Sequence, residues 1–222
     1  MTAKRPTVLT LLSHPLTMAL VGWAAFAAFA ADETHHGQLW LCNEPLEKFL
    51  HLHTQPQLVL LLSLVSGLGN LIVVLGIAAA VGGLLGLRRR WHDLAVWITA
   101  LVGCGILNHL LKEFFQIPRP SRWTLYTFEP YEGFSFPSGH TMAATVTLGM
   151  IVVLLWPFIA SPRRRAALLL AATALSFTVA FGLLYIGVHT LTEVLAALAA
   201  SAGWIGILRL IPRNDAISDR AD

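Results

Sequence analysis

Six stretches of this chain are each long and apolar enough to cross a lipid bilayer as a helix, and no other feature narrows the fold as much. A crossing helix needs about 20 predominantly apolar residues. The stretches are residues 12–31, 68–87, 94–115, 141–160, 166–186 and 190–211. Only 12% of the 222 residues are charged, against about 25% in a soluble domain. The expectation is an all-α fold, a polytopic membrane helical bundle of six transmembrane helices. Residues 1–222 are expected to form a single membrane domain, since this length allows one bundle and no second unit.

The formal net charge of +3 need not signal nucleic acid, and no nucleic-acid partner is expected. Placing the N-terminus in the cytoplasm puts Lys4, Arg5, Arg88, Arg89, Arg90, Arg163, Arg164, Arg165, Arg209, Arg213 and Arg220 on the cytoplasmic side. Only Lys48, Lys112, Arg119 and Arg122 fall opposite. That bias is the one that orients membrane proteins, so both termini are expected inside, with residues 32–67 and 116–140 outside. Within the 32–67 connector, "QLVLLLSLVS" is too short to cross alone. It either extends the second span or lies as a separate interfacial helix. The N-terminal "KR" followed by an apolar run and "AFAAD" also resembles a cleavable signal. Residues 8–31 are long enough to cross, so a retained span is expected.

Gly76, Gly82, Gly83 and Gly86 in the second span read as positions of close helix packing. Cys42 and Cys104 read as two unpaired thiols, with no CxxC or Cys/His zinc spacing around them. Neither a GxxxxGK[ST] nor a GxGxxG loop is present, so nucleotide binding has no support.

Ionisable groups at span ends are site candidates by default. Here they gather at one membrane face: His109, Lys112 and Glu113 at the end of the third span, His140 at the start of the fourth, His189 and Glu193 at the start of the sixth. After Lys112, Pro118 and Pro120 force an extended chain around Arg119, so both cations can fold back on one target. Arg and Lys both suit phosphate oxygens; a basic span end reaching the headgroups is the plainer reading. Pro137-Ser138-Gly139-His140 precedes an apolar run. It reads equally as a serine helix cap or as an anion pocket made of helix-start amides, a hydroxyl and a glycine that admits close approach. His189 and Glu193, four apart, share one helical face; the carboxylate would fix the imidazole tautomer and leave the other nitrogen available. The remaining histidines read as interfacial or solvated, with His109 a neighbour of the site at most.

Taken together, these three stretches resemble the type 2 phosphatidic acid phosphatase superfamily, membrane lipid phosphatases related to vanadium haloperoxidases. The family pattern is K-x6-R-P, P-S-G-H and S-R-x5-H-x3-D. This chain has Lys112 with Arg119-Pro120, then Pro137-Ser138-Gly139-His140, then His189 with Glu193. The resemblance covers residues 58–210, the phosphatase-like core. The third motif departs from the pattern: Gly182 and Leu183 stand in place of Ser and Arg, and Glu193 in place of Asp. Arg122, close to the first motif, is a candidate to compensate for the missing Arg.

The resemblance implies a metal-independent phosphatase acting on a lipid phosphate or pyrophosphate, of the undecaprenyl pyrophosphate, phosphatidylglycerophosphate, phosphatidic acid or lipid A class. It implies that Lys112, Arg119, Ser138 and the Gly139 backbone hold phosphate. His189 forms a phosphohistidine, Glu193 orients it, and His140 transfers protons. With no carboxylate cluster to hold Mg²⁺, neither a metal nor another cofactor is expected. The expected partners are the lipid substrate and the bilayer, with no obligate protein partner. The expected location is a bacterial inner membrane, with the site on its outer face. A lipid phosphoryl transferase, or a degenerate lipid-phosphate binder or transporter, is the alternative. If the pocket otherwise keeps the family geometry, Leu183→Arg should raise turnover.

Overall fold

Proline opens three of the helices and a polar side chain caps three more. Pro15, Pro56 and Pro162 stand at helix starts, where the missing N–H is unpaired in any residue. Asn70, Ser138 and Thr190 cap their helices through side-chain oxygens, which satisfies otherwise orphaned amides. A computed structural model describes residues 14–120 and 133–212. Among them run α1 (Pro15–Thr34), α2 (Gln38–Leu52), α3 (Pro56–Ser66), α4 (Leu71–Leu87), α5 (Trp91–Phe115), α6 (Gly139–Leu155), α7 (Pro162–Tyr185) and α8 (Leu191–Leu208).

Five helices are long and apolar enough to cross a membrane alone: α1, α5, α6 with its short 3₁₀ extension Trp156–Phe158, α7 and α8. Among the described residues the pair α3 and α4, bent by 51°, passes the same test only when taken together and gives a sixth candidate crossing. "QLVLLLSLVS" therefore forms a distinct helix rather than a straight extension of the second span. The bend falls at Gly67–Gly69 and Asn70, whose Oδ1 accepts the Ile72 amide at 2.7 Å and restarts the helix. Gly69 lies against the backbone of His140, where a Cβ would collide. The break thus lets the chain approach the start of α6.

The connector holds a helix that its polar composition concealed. In α2, Pro45 stands inside the helix, and Asn43, Glu47 and Leu50 are buried. The Asp32 carboxylate at the end of α1 accepts the amides of Leu39 at 3.3 Å and Trp40 at 2.8 Å. It therefore serves the start of α2 from outside that helix.

The glycine expectation for the second span is corrected. A Cβ at Gly76, Gly83 or Gly86 would meet nothing within 4 Å, and one at Gly82 would make only ordinary contact with Leu94 and Trp97. α4 turns exposed Leu71, Ile72 and Leu87 outward, so it is too peripheral for close packing. Glycine governs the pairing of α1 with α8 instead: Gly22 lies against Gly203, and Gly206 against Ala19. Phe26, Phe115 and Phe136 join α1, α5 and the loop before α6, with ring centroids 5.0–6.1 Å apart. Cys104 is buried, Cys42 is exposed, and both are free thiols.

The Arg88–Arg90 and Arg163–Arg165 triplets lie at one end of the bundle, where the Arg90 guanidinium sits 4.7 Å above the Phe158 ring. The end of α5 and the starts of α6 and α8 lie at the other.

Candidate active site

The start of α8 is built around Glu193. Thr190 caps the helix, its hydroxyl accepting the Glu193 amide while Glu193 Oε2 accepts the Thr190 amide at 3.1 Å. The same Oε2 meets His189 Nδ1 at 2.6 Å. Glu193 Oε1 accepts from the Ser135 hydroxyl. Each carboxylate oxygen thus has a protein donor, and both His189 and Glu193 are 1% exposed. The sequence expectation of one helical face needs correcting. His189 lies outside the helix, one residue before its cap, and the pair meets through the capping turn.

With Nδ1 engaged, His189 Nε2 faces Arg119 Nη1 at 3.5 Å. Burial lowers the His189 pKa; the hydrogen bond and charge of Glu193 oppose this, while Arg119 and Lys112 reinforce it. Neutral imidazole is favoured. Lys112, in the last turn of α5, and Arg119 therefore act on one ring although they stand seven positions apart. α5 ends before the prolines: the Gln116 N–H makes the last helical bond, to the Lys112 carbonyl at 2.9 Å, and the left-handed φ of 49° at Gln116 then turns the chain out of the helix. Ser135 then pins the extended chain, its amide donating to the Ile117 carbonyl at 2.8 Å.

The third segment answers part of the question raised by Pro137-Ser138-Gly139-His140. Ser138 is fully buried and is a cap: its Oγ accepts from the Thr141 hydroxyl at 3.0 Å and the Thr141 amide at 3.4 Å. Its own amide donates to the Glu193 carbonyl at 3.3 Å, tying α6 to α8. A hydroxyl accepting these bonds still has its hydrogen to donate, so capping and anion binding are compatible. Asn108 Nδ2 braces this turn through the Pro137 carbonyl at 3.1 Å, and a Cβ on Gly139 would stand 3.0 Å from Asn108 Oδ1. His140, half-buried, is the second residue of α6.

Leu183 is 0% exposed, in an apolar cluster with Ala144, Val179, Ile186 and Val188. Gly182 leaves room for Ser66. Arg122 lies outside the described residues. Sequence reasoning missed Ser135, whose signal was its place inside "GFSFPSGH", and Asn108, one turn before Lys112 on the same face. It also missed a buried chain in which Thr192 Oγ1 donates to Glu33 and accepts from Asn43 Nδ2 at 3.0 Å. The Thr190 hydroxyl lies 3.0 Å from the same Thr192 oxygen. A cavity of about 480 Å³ opens beside Arg119, Thr190 and Glu193, bounded by Glu33 and Trp40.

The family model described as PAP2 superfamily matches residues 93–216. Phosphatidylglycerophosphatase B of Bacillus subtilis (strain 168) is 28% identical over 178 residues, 77% of this chain and 83% of that protein. The crystal structure described as the first transmembrane PAP2 type phosphatidylglycerolphosphate phosphatase, from Bacillus subtilis, superposes with a TM-score of 0.74 at 23% identity. The match covers 90% of this chain and 98% of the other.

Proposed function

The chain belongs to the PAP2 superfamily, and from that premise we propose that it is a membrane lipid phosphatase whose substrate is phosphatidylglycerophosphate or a close lipid phosphate. The observation that carries the proposal is the fixed imidazole: Nδ1 on Glu193 at 2.6 Å, Nε2 facing Arg119 at 3.5 Å. A ring so held presents a neutral nitrogen lone pair beside a cation that attracts phosphate oxygens.

In the proposed reaction Lys112, Arg119, the Ser138 hydroxyl and the Gly139 amide hold the phosphate. Nε2 of His189 bonds to phosphorus as the bond to the lipid oxygen breaks, and His140 protonates that oxygen. His140 then takes a proton from water, whose oxygen attacks phosphorus and releases phosphate and His189. Glu193 stabilises the charge that grows on the ring. Both Glu193 oxygens are engaged by protein donors, and the proposed mechanism uses no metal ion. The phosphatase-like core is residues 58–210 of a single membrane domain. The arginine triplets at the opposite end of the bundle favour an extracytoplasmic site and cytoplasmic termini, in the inner (plasma) membrane.

Phosphate release from phosphatidylglycerophosphate, phosphatidic acid and undecaprenyl pyrophosphate, with excess EDTA, tests the reading. Activity abolished by EDTA and restored by Mg²⁺ would sink the mechanism. Leu183 supports a second reading, a lipid-phosphate binder without turnover, since it leaves the family's Arg position apolar. Equal, near-zero release by the unaltered protein and His189→Ala would favour it. A transferase on the same residues would pass the phosphoryl group to a lipid hydroxyl in place of water.

A further inference from the structure

A second cavity, of about 580 Å³, lies between α2 and the start of α8. It shares Glu33, Trp40, Pro120 and Thr190 with the cavity beside Arg119. Pro120 and Thr190 are the chain neighbours of Arg119 and His189, so a single headgroup can occupy both spaces.

The chemistry of the two spaces differs. One holds the Arg119 guanidinium beside the Glu193 and Glu33 carboxyl groups. The other is walled by carboxyl groups, Glu33 and Glu47, with Asn43 between them and Lys48 exposed at the rim. Glu33 and Asn43 are occupied by Thr192. Glu47 is only 8% exposed, lines the cavity, and has no hydrogen bond or ion pair with any described residue. Its carboxyl group faces the cavity and is free to bond a ligand hydroxyl there.

We propose that this cavity is a headgroup subsite for a glycerol-like, hydroxyl-bearing group attached to the scissile phosphate, with Glu47 taking the hydroxyl and Lys48 a second phosphate beyond it. The inference rests on the lipid-phosphatase reading and deepens it. A phosphate finds no cation at Glu47 itself, whereas a hydroxyl bonds to a carboxyl in either protonation state. Burial, with the charges of Glu193, Glu44 and Glu33, raises the Glu47 pKa to about 7, so both states are available near neutrality. Trp40 offers an apolar face for the carbons of the polyol.

Calorimetric titration of the intact protein in detergent tests the subsite, with inorganic phosphate, glycerol 1-phosphate and O-phosphoethanolamine as probes. Glycerol 1-phosphate should bind about 10-fold more tightly than inorganic phosphate, the scale of one added hydrogen bond to a charged group. Glu47→Leu should remove that preference and leave inorganic phosphate unchanged, which also reports an intact fold. Glu47→Gln should keep part of it through the amide oxygen. No preference in the unaltered protein, tighter binding of phosphoethanolamine, or equal loss of both phosphates in Glu47→Leu and Glu47→Gln would overturn the subsite. In turnover, Glu47→Leu should raise KM for phosphatidylglycerophosphate and leave phosphatidic acid unaffected. A protein that hydrolyses neither lipid refutes the phosphatase reading, while the titration still decides the subsite.

Discussion

The Ser135 hydroxyl donates to Glu193 on the carboxylate oxygen that His189 does not use. It also lies within 3.1 Å of the Pro118 carbonyl and 3.3 Å of the Ile117 carbonyl. Ser135 thus links the carboxylate that orients the imidazole to the strand of chain that delivers Arg119.

Removing that link should disturb turnover more than binding. We expect Ser135→Ala to lower kcat about 10-fold and Glu193→Gln about 100-fold or more, with KM for a short-chain lipid phosphate little changed. Loss of a group that orients a reactive imidazole costs on this scale. Steady-state phosphate release checks this, and a KM effect as large as the kcat effect would count against an orienting role.

The acidic limb of the rate follows from the His189 shift. Its pKa is lowered from 6.5, by burial first, so the neutral ring persists below that value. The acid-side midpoint of kcat/KM should therefore lie below pH 6.5. Glu193 opposes the shift, so Glu193→Gln should move the midpoint further down. A midpoint above 6.5 would show that the imidazolium form is the one favoured.

Glu47 gives a pH dependence of stability with the opposite sign. Its folded pKa is about 7, against 4.5 without the fold. Below 4.5 both states are protonated and the group contributes no dependence. As the pH rises from about 4.5 to 7, ionisation is easier in the unfolded chain, and stability falls; above 7 the difference is constant. His189, with a lowered pKa, works in the other direction below 6.5. The comparison is therefore Glu47→Gln against the unaltered protein. The variant should gain several degrees of relative thermal stability between pH 5 and pH 7.5. Parallel melting curves across that range would contradict the shift.

Glycine positions separate close packing from tolerance. Gly69→Ala should destabilise the bundle by about 1–3 kcal/mol, the usual cost of forcing extra volume into a packed contact. It should also slow turnover by displacing the start of α6. Gly76→Ala, with open space around it, should do neither. Thermal melting in detergent and phosphate release measure both effects.

Leu183→Arg should lower thermal stability rather than raise turnover, because the position is buried among Ala144, Val179, Ile186 and Val188 and a charge in apolar surroundings is costly. A variant that melts normally and turns over faster would mean the new side chain reaches the phosphate pocket.

The spans were legible because bilayer thickness imposes a length, and apolar runs of that length have few other uses. The meeting of Arg119 with His189 was legible in part, because proline restricts the chain between Lys112 and Arg119. The α2 helix was not, since its buried residues Asn43 and Glu47 are polar and Pro45 interrupts it. Glycine packing was assigned to α4, because composition shows where glycine occurs but not which face meets a neighbour. Ser135 and Thr192 act through contacts across 58 and 159 residues of sequence, to Glu193 and Glu33. Local spacing carries no trace of such contacts.

The pairing of Gly22 with Gly203 and of Ala19 with Gly206 has a consequence for biosynthesis. A chain is made from its N-terminus, so α1 is synthesised before α8, its principal neighbour. Until α8 arrives, α1 has no glycine face to meet, and Glu33 has no Thr192. The arrival of α8 therefore forms the seam with α1 and installs His189 and Glu193 in the same event, so chains stalled before it expose neither a finished reactive centre nor a sealed helix seam.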